Sequence, residues 1–391
     1  MEPLGELSTF SFPTRIRFGP GARRALAEFA RDHQVARLLV VTDRGLPATA
    51  AYALTVDEVE RVWPGRWQAF TDVEPNPAER DVEAAYAAYR AADCDAVIGL
   101  GGGSALDAAK AVRLKVALPD VALVDIPLDQ LPRTLTPMCA IPTTAGTGSE
   151  VGRSTVITVP SVRRKMVFGG PPLMPDLALL DPELTVGLPP HLTAATGMDA
   201  MTHAIESYVC PMFHPMCDAI ALEAIRLIRE FLPRAVADGS DLMARGRMLM
   251  AASMGAVAFQ KDLGAAHSLA HPLSTEYGVH HGLANAVVLP EVVRFNGEVD
   301  REQYRRVAEA LGLFAGCAAE AEGAADSALR TAEFLAEFNR SLGITQRLRD
   351  LGVPRDALPA LAAKAHQDGC HLTNPRPCSE ADLLGLYERC W

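Results

Sequence analysis

Asp199 and His203 stand four residues apart, in the stretch Gly197-Met-Asp-Ala-Met-Thr-His-Ala-Ile-Glu-Ser-Tyr. On a helix that spacing projects both side chains from one face, about one turn apart, so they can share one metal ion. His267 and His271 repeat the spacing, and His281 follows after Pro272 and Gly278 have turned the chain. One carboxylate with two or three imidazoles suits a divalent transition metal. A bound ion there is expected to be the centre of a reaction.

The elements that must position these groups change character along the chain. In the first half, strand-like and helix-like segments alternate. Arg15–Gly19, Ala36–Asp43, Ala96–Leu100, Val121–Ile126 and Met138–Pro142 are expected strands, with helices over 21–31 and 77–92. Short apolar strands separated by helices imply a mostly parallel sheet covered on both faces. From His191 the texture becomes Ala/Leu-rich, with helices expected over 191–209, 215–236, 240–258, 301–313, 323–342, 356–366 and 380–390. The reading is therefore an α/β domain over 1–184 and an all-α domain over 185–391.

Bulk properties narrow the classes. At 391 residues, two domains are the natural expectation. A net charge of −11 argues against nucleic acid or an anionic membrane surface as partner. No apolar run approaches the ~20 residues of a membrane span, and the first residues lack the features of a secretory signal. The eight cysteines (94, 139, 210, 217, 317, 370, 378 and 390) are scattered without a CxxC pair, which points to a reducing cytoplasm.

In the α/β half, Gly101-Gly-Gly-Ser-Ala-Leu-Asp-Ala-Ala-Lys follows a strand and opens a helix. Glycines there let the backbone approach a diphosphate, and the helix end stabilises its charge. The run is not GxGxxG, and alone it also suits a plain strand-to-helix turn capped by Ser104. Two companions favour a nucleotide. Asp43 ends a strand, where a carboxylate can bind ribose hydroxyls. Ile141-Pro-Thr-Thr-Ala-Gly-Thr-Gly-Ser-Glu packs small hydrogen-bonding residues behind another strand.

These motifs together resemble the iron-containing (group III) alcohol dehydrogenases. The resemblance rests on the Gly101 run, Pro142–Val151, Gly197–Glu206 and the histidine segment 267–290, with echoes at Pro75-Asn-Pro, Asp181-Pro-Glu-Leu-Thr and Asn374-Pro-Arg. It implies an N-terminal Rossmann-like nucleotide domain, a helical metal-bearing domain with a dehydroquinate synthase-like architecture, and a cleft between them. It implies Fe(II), or Zn(II) in some members, held by Asp199, His203, His267 and His281. His271 matches a histidine near the substrate that is not counted as a ligand, and it is the candidate proton relay.

The positions matching cofactor contacts are Asp43, Asn76, Gly102, Gly103, Ser104, Asp107, Thr143, Thr144, Thr147 and Lys165. Cys370 matches a substrate-pocket position. Ser154 and Glu276 depart from the commonest members at positions expected near that pocket, as does the stretch 129–136, so substrate identity stays open. The implied reaction is reversible hydride transfer between nicotinamide and an alcohol, diol or hydroxy acid. Asp43 would repel a 2′-phosphate and favours NAD over NADP. A homodimer, or a multiple of it, is implied.

One rival reading keeps the architecture but makes the protein a metal- and NAD-dependent cyclase or lyase of the dehydroquinate synthase type. That chemistry wants a cluster of Lys and Arg for a phosphorylated substrate, and 191–290 offers few near the histidines. Another rival is a non-catalytic NAD- or metal-binding sensor. It would be expected to have lost a ligand or a cofactor motif, and none is missing.

Overall fold

The computed structural model describes residue 12 and residues 14–162, 164–299, 301–314 and 327–391. Cys317, Arg163 and the first residues of the helix expected over 323–342 lie outside the described residues. Two compact units emerge. One comprises Thr14–Gly197 with Glu230–Ser253, and the other Met198–Arg229 with Met254–Trp391.

The first unit holds strands β1 (Arg15–Phe18), β2 (Leu38–Asp43), β3 (Trp67–Val73), β4 (Ala96–Gly101), β5 (Met138–Pro142), β6 (Ser154–Val159), β7 (Arg164–Gly169) and β8 (Leu177–Leu180). Six of them form one sheet in the order β1-β8-β5-β4-β2-β3, with every pairing parallel. β6 and β7 form a separate antiparallel pair. Helices α1 (Leu26–Asp32), α2 (Ala50–Val62), α3 (Glu79–Ala91) and α4 (Gly103–Ala117) cover the sheet.

The period-two alternation of strand side chains explains the layering. In β2, Leu38 and Val40 join a core layer with Leu26, Phe29 and Val59 of α1 and α2. Leu39 and Val41 join the opposite layer, with Val82 and Ala85 of α3 and Leu106, Ala109 and Val112 of α4. Both sheet faces are therefore buried, which is why these strands read as continuous apolar runs. The order reverses at the β2/β4 pair, because β3 lies on one side of β2 and β4 on the other. Ligands of open α/β sheets bind outside the strand ends at such a switch point.

The strand expected over Val121–Ile126 does not form. A single 3-10 turn over Leu123–Asp125 takes its place. Lys115 Nζ donates to the carbonyls of Pro119 and Val121, so the Val121 carbonyl is committed to an ammonium rather than to a strand ladder. Leu123 and Ile126 are buried in the α3/α4 layer, so their apolar character anchors a loop.

The helices of the second half are α5 (Pro190–Val209), α6 (Pro215–Ala237), α7 (Leu242–Ala258), α8 (Ala265–Tyr277), α9 (His281–Asn296), α10 (Arg301–Ala310), α11 (Ser327–Ser341), α12 (Leu358–His366) and α13 (Glu380–Cys390). The sequence boundary at 184/185 differs from the compact division after Gly197. The first turns of α5 and the segment 230–253 pack together: Arg245 donates to Thr193 Oγ1 and to the Leu188 carbonyl. A Cβ at Gly197 would meet Leu232 Cδ1 at 2.3 Å, so glycine permits that close approach. No helix was expected over α9, and only the helical spacing of His267 and His271 pointed to α8. Both are buried on nearly every side and carry an internal proline, Pro272 or Pro290, so neither shows an amphipathic stripe. Gly278, at φ 65°, closes α8 in the left-handed conformation and lets His281 open α9.

Candidate active site

In the helical unit, α5 presents Asp199 and His203, α8 presents His267, and the first residue of α9 is His281. Asp199, His203 and His267 are buried, and one potential ligand atom from each lies within 4.8 Å of the others. His281 Nε2 is 3.5 Å from Asp199 Oδ1. The His203 and His267 rings stack at 4.7 Å between centroids, and His281 lies 5.4 Å from His267. Gly255 of α7 gives the cluster room, since a Cβ there would sit 3.3 Å from His203 Cβ.

Two further side chains fix the donors. Glu206 lies one turn beyond His203 on α5 and is buried. Its Oε2 accepts from His267 Nδ1 at 2.6 Å, and its Oε1 accepts from the Ala266 amide at 2.6 Å. That bond places the ring proton on Nδ1 and leaves the Nε2 lone pair for a metal, the usual carboxylate–histidine support of a ligand. Asn285, one turn beyond His281 on α9, donates from Nδ2 to Asp199 Oδ1 at 2.8 Å.

Electrostatics agree with this donor set. Burial by itself pushes the Asp199 carboxyl up, but His203, His281, His267 and the Asn285 amide outweigh it and hold the group down at about 2. A buried carboxylate kept ionised among imidazoles is a site for a cation. The residues therefore fit a divalent ion, with Asp199, His203, His267 and His281 as the groups that would hold it.

His271 belongs to a neighbouring cluster. Its ring stacks on His281 at 5.4 Å, and its Nδ1 bonds Asp368 Oδ2 at 2.8 Å. Asp368 Oδ1 also accepts from Ser268 Oγ and from the Cys370 amide, each at 2.9 Å. Burial raises the Asp368 carboxyl, but the bond from His271 and its charge hold it far below the usual carboxylate range. Cys370 is half-buried, and burial followed by the nearby Asp368 charge pushes its thiol well above the usual value. It is held as a thiol rather than a thiolate. Glu276 sits at the exposed end of α8 and pairs with Lys364 of α12 at 2.5 Å.

In the α/β unit, Asp43 closes β2 and Gly101 closes β4, the adjacent strands at the switch point. Asp43 Oδ1 accepts from the amides of Gly45 and Leu46, and Oδ2 lies 3.2 Å from where a Cβ on Gly101 would be. Gly101 has φ 142°, a backbone conformation that favours glycine. Helix α4 starts with Gly102 as an extended N-cap and no side-chain cap, so its first amides are left to an anion. A Cβ on Gly103 would lie 2.7 Å from Thr147 Cγ2, and one on Gly102 would touch Thr144 at 3.5 Å. The glycine loop and the threonine loop thus face each other with little space for side chains.

The remaining cofactor candidates buttress this cradle. Ser104 Oγ donates to the Pro75 carbonyl at 2.5 Å, pinning the turn that carries exposed Asn76. The Thr143 amide donates to the Gly101 carbonyl at 3.0 Å. Asp107 is occupied internally: Oδ1 accepts from Ser149 Oγ and Oδ2 from the Val156 amide. Buried Lys110 donates to Ser149 Oγ and to the Ser154 carbonyl, and burial lowers its ammonium to about 8 against the pull of Asp107 and Glu150. Lys165 of β7 is likewise lowered by burial, opposed by Asp107. Ser154 opens β6, with its carbonyl held by Lys110.

Glu206, Asn285, Asp368 and Lys110 were not picked out from the sequence. Glu206 and Asn285 carried a signal, since they stand at helical spacing from His203 and His281. Lys110 also follows Asp107 at helical spacing, whereas Asp368 reaches His271 only through the fold.

A parallel sheet with a glycine-opened helix at its switch point, joined to a helical unit with a buried Asp/His cluster, defines a class of nucleotide- and metal-handling proteins. Comparison with known proteins narrows it. Residues 13–182 match the family described as iron-containing alcohol dehydrogenase, and residues 193–391 match its C-terminal family, Fe-containing alcohol dehydrogenase. The chain is 39% identical over 391 residues to the probable alcohol dehydrogenase EutG of Escherichia coli strain K12, covering 98% of this chain and 95% of that one. It is 37% identical to 4-hydroxybutyrate dehydrogenase of Cupriavidus necator, covering 96% and 98%. A solved 1,3-propanediol oxidoreductase superposes with a TM-score of 0.93 at 34% identity, covering 99% of this chain and all of the other. The protein belongs to the iron-containing alcohol dehydrogenase family.

Proposed function

We infer that this protein is a metal-dependent, NAD-linked alcohol dehydrogenase and aldehyde reductase acting on a small alcohol, diol or hydroxy acid. The observation that carries the reading is the buried Asp199/His203/His267/His281 cluster, with the Nδ1 of His267 locked by Glu206. The matched families select hydride transfer over the cyclase chemistry that shares the architecture.

Four residues hold the ion: Asp199, His203, His267 and His281. When bound, it supplies Lewis acidity toward an alcohol or carbonyl oxygen, and nicotinamide supplies the hydride carrier. The chain does the rest. Asp368, held ionised, keeps the proton of His271 on Nδ1, so Nε2 of His271 is the atom that takes or gives the substrate proton. Glu206 orients His267 in the same way. The α4 amides and the closely packed Gly102 and Gly103 receive the diphosphate, while Asp43 receives the adenosine ribose and disfavours a 2′-phosphate. Cys370, beside the His271–Asp368 pair, is assigned to the substrate wall. Relatives named for 4-hydroxybutyrate, lactaldehyde and 1,3-propanediol support a short oxygenated substrate. A homodimer is the proposed assembly.

The test is elemental analysis of protein purified without oxygen, coupled to NADH and NADPH turnover against a panel of short aldehydes. One iron per chain, faster turnover with NADH, and loss of both metal and activity in His267→Ala are expected. Zinc in place of iron would change the metal assignment alone. Inactive protein after Fe(II), Zn(II) and cofactor are supplied would overturn the enzymatic reading.

A further inference from the structure

Asn285 is fully buried at the heart of the helical unit. Its Nδ2 lies 2.8 Å from Asp199 Oδ1, 3.3 Å from His267 Nε2 and 3.2 Å from His281 Nε2. Its Oδ1, also buried, meets no hydrogen-bond partner among the described residues. One amide group therefore faces three of the four donors with its N–H side, and leaves its carbonyl unsatisfied to do so.

The opposite orientation of the amide is physically excluded. It would turn Oδ1 onto the Asp199 carboxylate, one acceptor against another at the 2.8 Å now spanned by the N–H donor. That contact would be repulsive. A buried carbonyl without a partner is a burden on the fold, and a leucine of similar size would remove it. The asparagine is thus explained by what its N–H group holds, and not by packing.

We propose that Asn285 is a positioning residue of the metal centre: its amide fixes the Asp199 carboxylate in one orientation, and so sets how tightly the four donors hold their ion. The proposal rests on the metal-centre reading above. Asn285 touches neither substrate nor nicotinamide in this role. It acts through Asp199, much as Glu206 acts through His267. Its place on α9, one turn from His281, ties the carboxylate of α5 to the helix that supplies the last donor.

The experiment uses the full chain stripped of metal with a chelator and titrated with Co(II) alone, read by its visible d–d bands and by chelator competition. The parent is expected to bind one Co(II), and His267→Ala to lose it. If His267→Ala keeps the parent's affinity and bands, the metal-centre reading itself fails. With that control satisfied, Asn285→Leu is expected to bind Co(II) about 10- to 100-fold more weakly, the range seen when residues supporting a ligand are removed, with a changed band envelope. Its metal-free melting midpoint is expected to stay at or above that of the parent, an outcome that a merely structural asparagine would not give. Parent-like affinity and bands in Asn285→Leu would overturn the proposal. Should Asn285→Leu fail to fold, Asn285→Ala is read by the same titration, with weaker binding again expected and parent-like binding again fatal.

Discussion

The helical unit and the α/β unit prepare for their ligands by opposite means. Around Asp199 the protein accumulates polar side chains in a buried place, and two of the four donors are held by a second group: His267 by Glu206, Asp199 by Asn285. Around Gly101–Gly103 it removes side chains, and what remains is backbone, an uncapped helix end and threonines closing the flank. A small dication needs charge and fixed lone pairs, which only side chains supply. A diphosphate needs amides at close range, which any Cβ would obstruct. The metal centre should therefore be most sensitive to losing a functional group, and the cradle to gaining a carbon.

The largest expected effect tests the first half of that contrast. Asp199→Asn keeps the shape and removes the charge, and should abolish stoichiometric metal and lower turnover by roughly a thousandfold or more, the scale of several kcal/mol of Lewis-acid assistance. NADH binding measured by fluorescence should survive. Loss of NADH binding together with the metal would mean that the two regions are not separable in this way.

Gly103→Ala tests the second half. The added Cβ would lie 2.7 Å from Thr147 Cγ2, so the threonine loop has to move. A misplacement of that size is expected to cost about a hundredfold in kcat/KM for NADH. Metal content should stay at the parent level. A parent-like KM for NADH would show that the cradle tolerates a side chain, and the comparison would break.

Glu206→Gln sharpens the metal side by removing only the support of a ligand. The amide can still face His267, but it no longer fixes the proton on Nδ1, so metal affinity should fall about 10- to 100-fold. Competition titration of the stripped protein measures this. An unchanged affinity would mean that His267 is oriented by packing alone.

Lys110 gives the α/β unit a pH signature. Its ammonium titrates near 8 in the fold, against 10.5 for an ordinary lysine, because burial outweighs Asp107 and Glu150. Below pH 8 both folded and unfolded chains carry the proton. Between 8 and 10.5 the unfolded chain binds more protons, so this group adds stability as pH rises, with a slope of at most about 1.4 kcal/mol per pH unit. Denaturant midpoints measured across that window should show the contribution in the parent and lack it in Lys110→Met. Identical slopes would remove the assignment.

The contrast also explains what could be read from the sequence. The strands β2, β4 and β5 announced themselves because burial on both faces leaves uninterrupted apolar runs. Asp199 and His203 were legible because helical spacing is local. The extents of α8 and α9 were not, beyond the His267/His271 spacing, since a helix buried all round loses its polar face and the prolines disguise the rest. Val121–Ile126 misled for the converse reason, an apolar run that serves a loop. The Asp368–His271 pair is 97 residues apart in sequence, and only the fold brings it together. Glu276 drew notice as an unusual carboxylate near the expected pocket, and its partner Lys364, on another helix, was not legible in the sequence because only the fold pairs them.

The smallest expected effect concerns the proposed ribose position, where the α/β unit would depart from its own rule and use a side chain. Asp43 has two duties: Oδ1 closes the turn by accepting from Gly45 and Leu46, and Oδ2 faces Gly101. A glycine at 43 would remove both, so altered cofactor use could follow from a loosened turn. Asp43→Asn separates them, because its carbonyl oxygen still accepts from the two amides while the charge is gone. If charge repulsion excludes a 2′-phosphate, Asp43→Asn should raise the NADPH-to-NADH ratio of kcat/KM by about fivefold, the scale of a half-exposed charge pair in salt, and the gain should shrink as ionic strength rises. A ratio that stays put in Asp43→Asn but rises in Asp43→Gly would assign the discrimination to the shape of the turn instead, and would bring this corner back under the rule that governs Gly103.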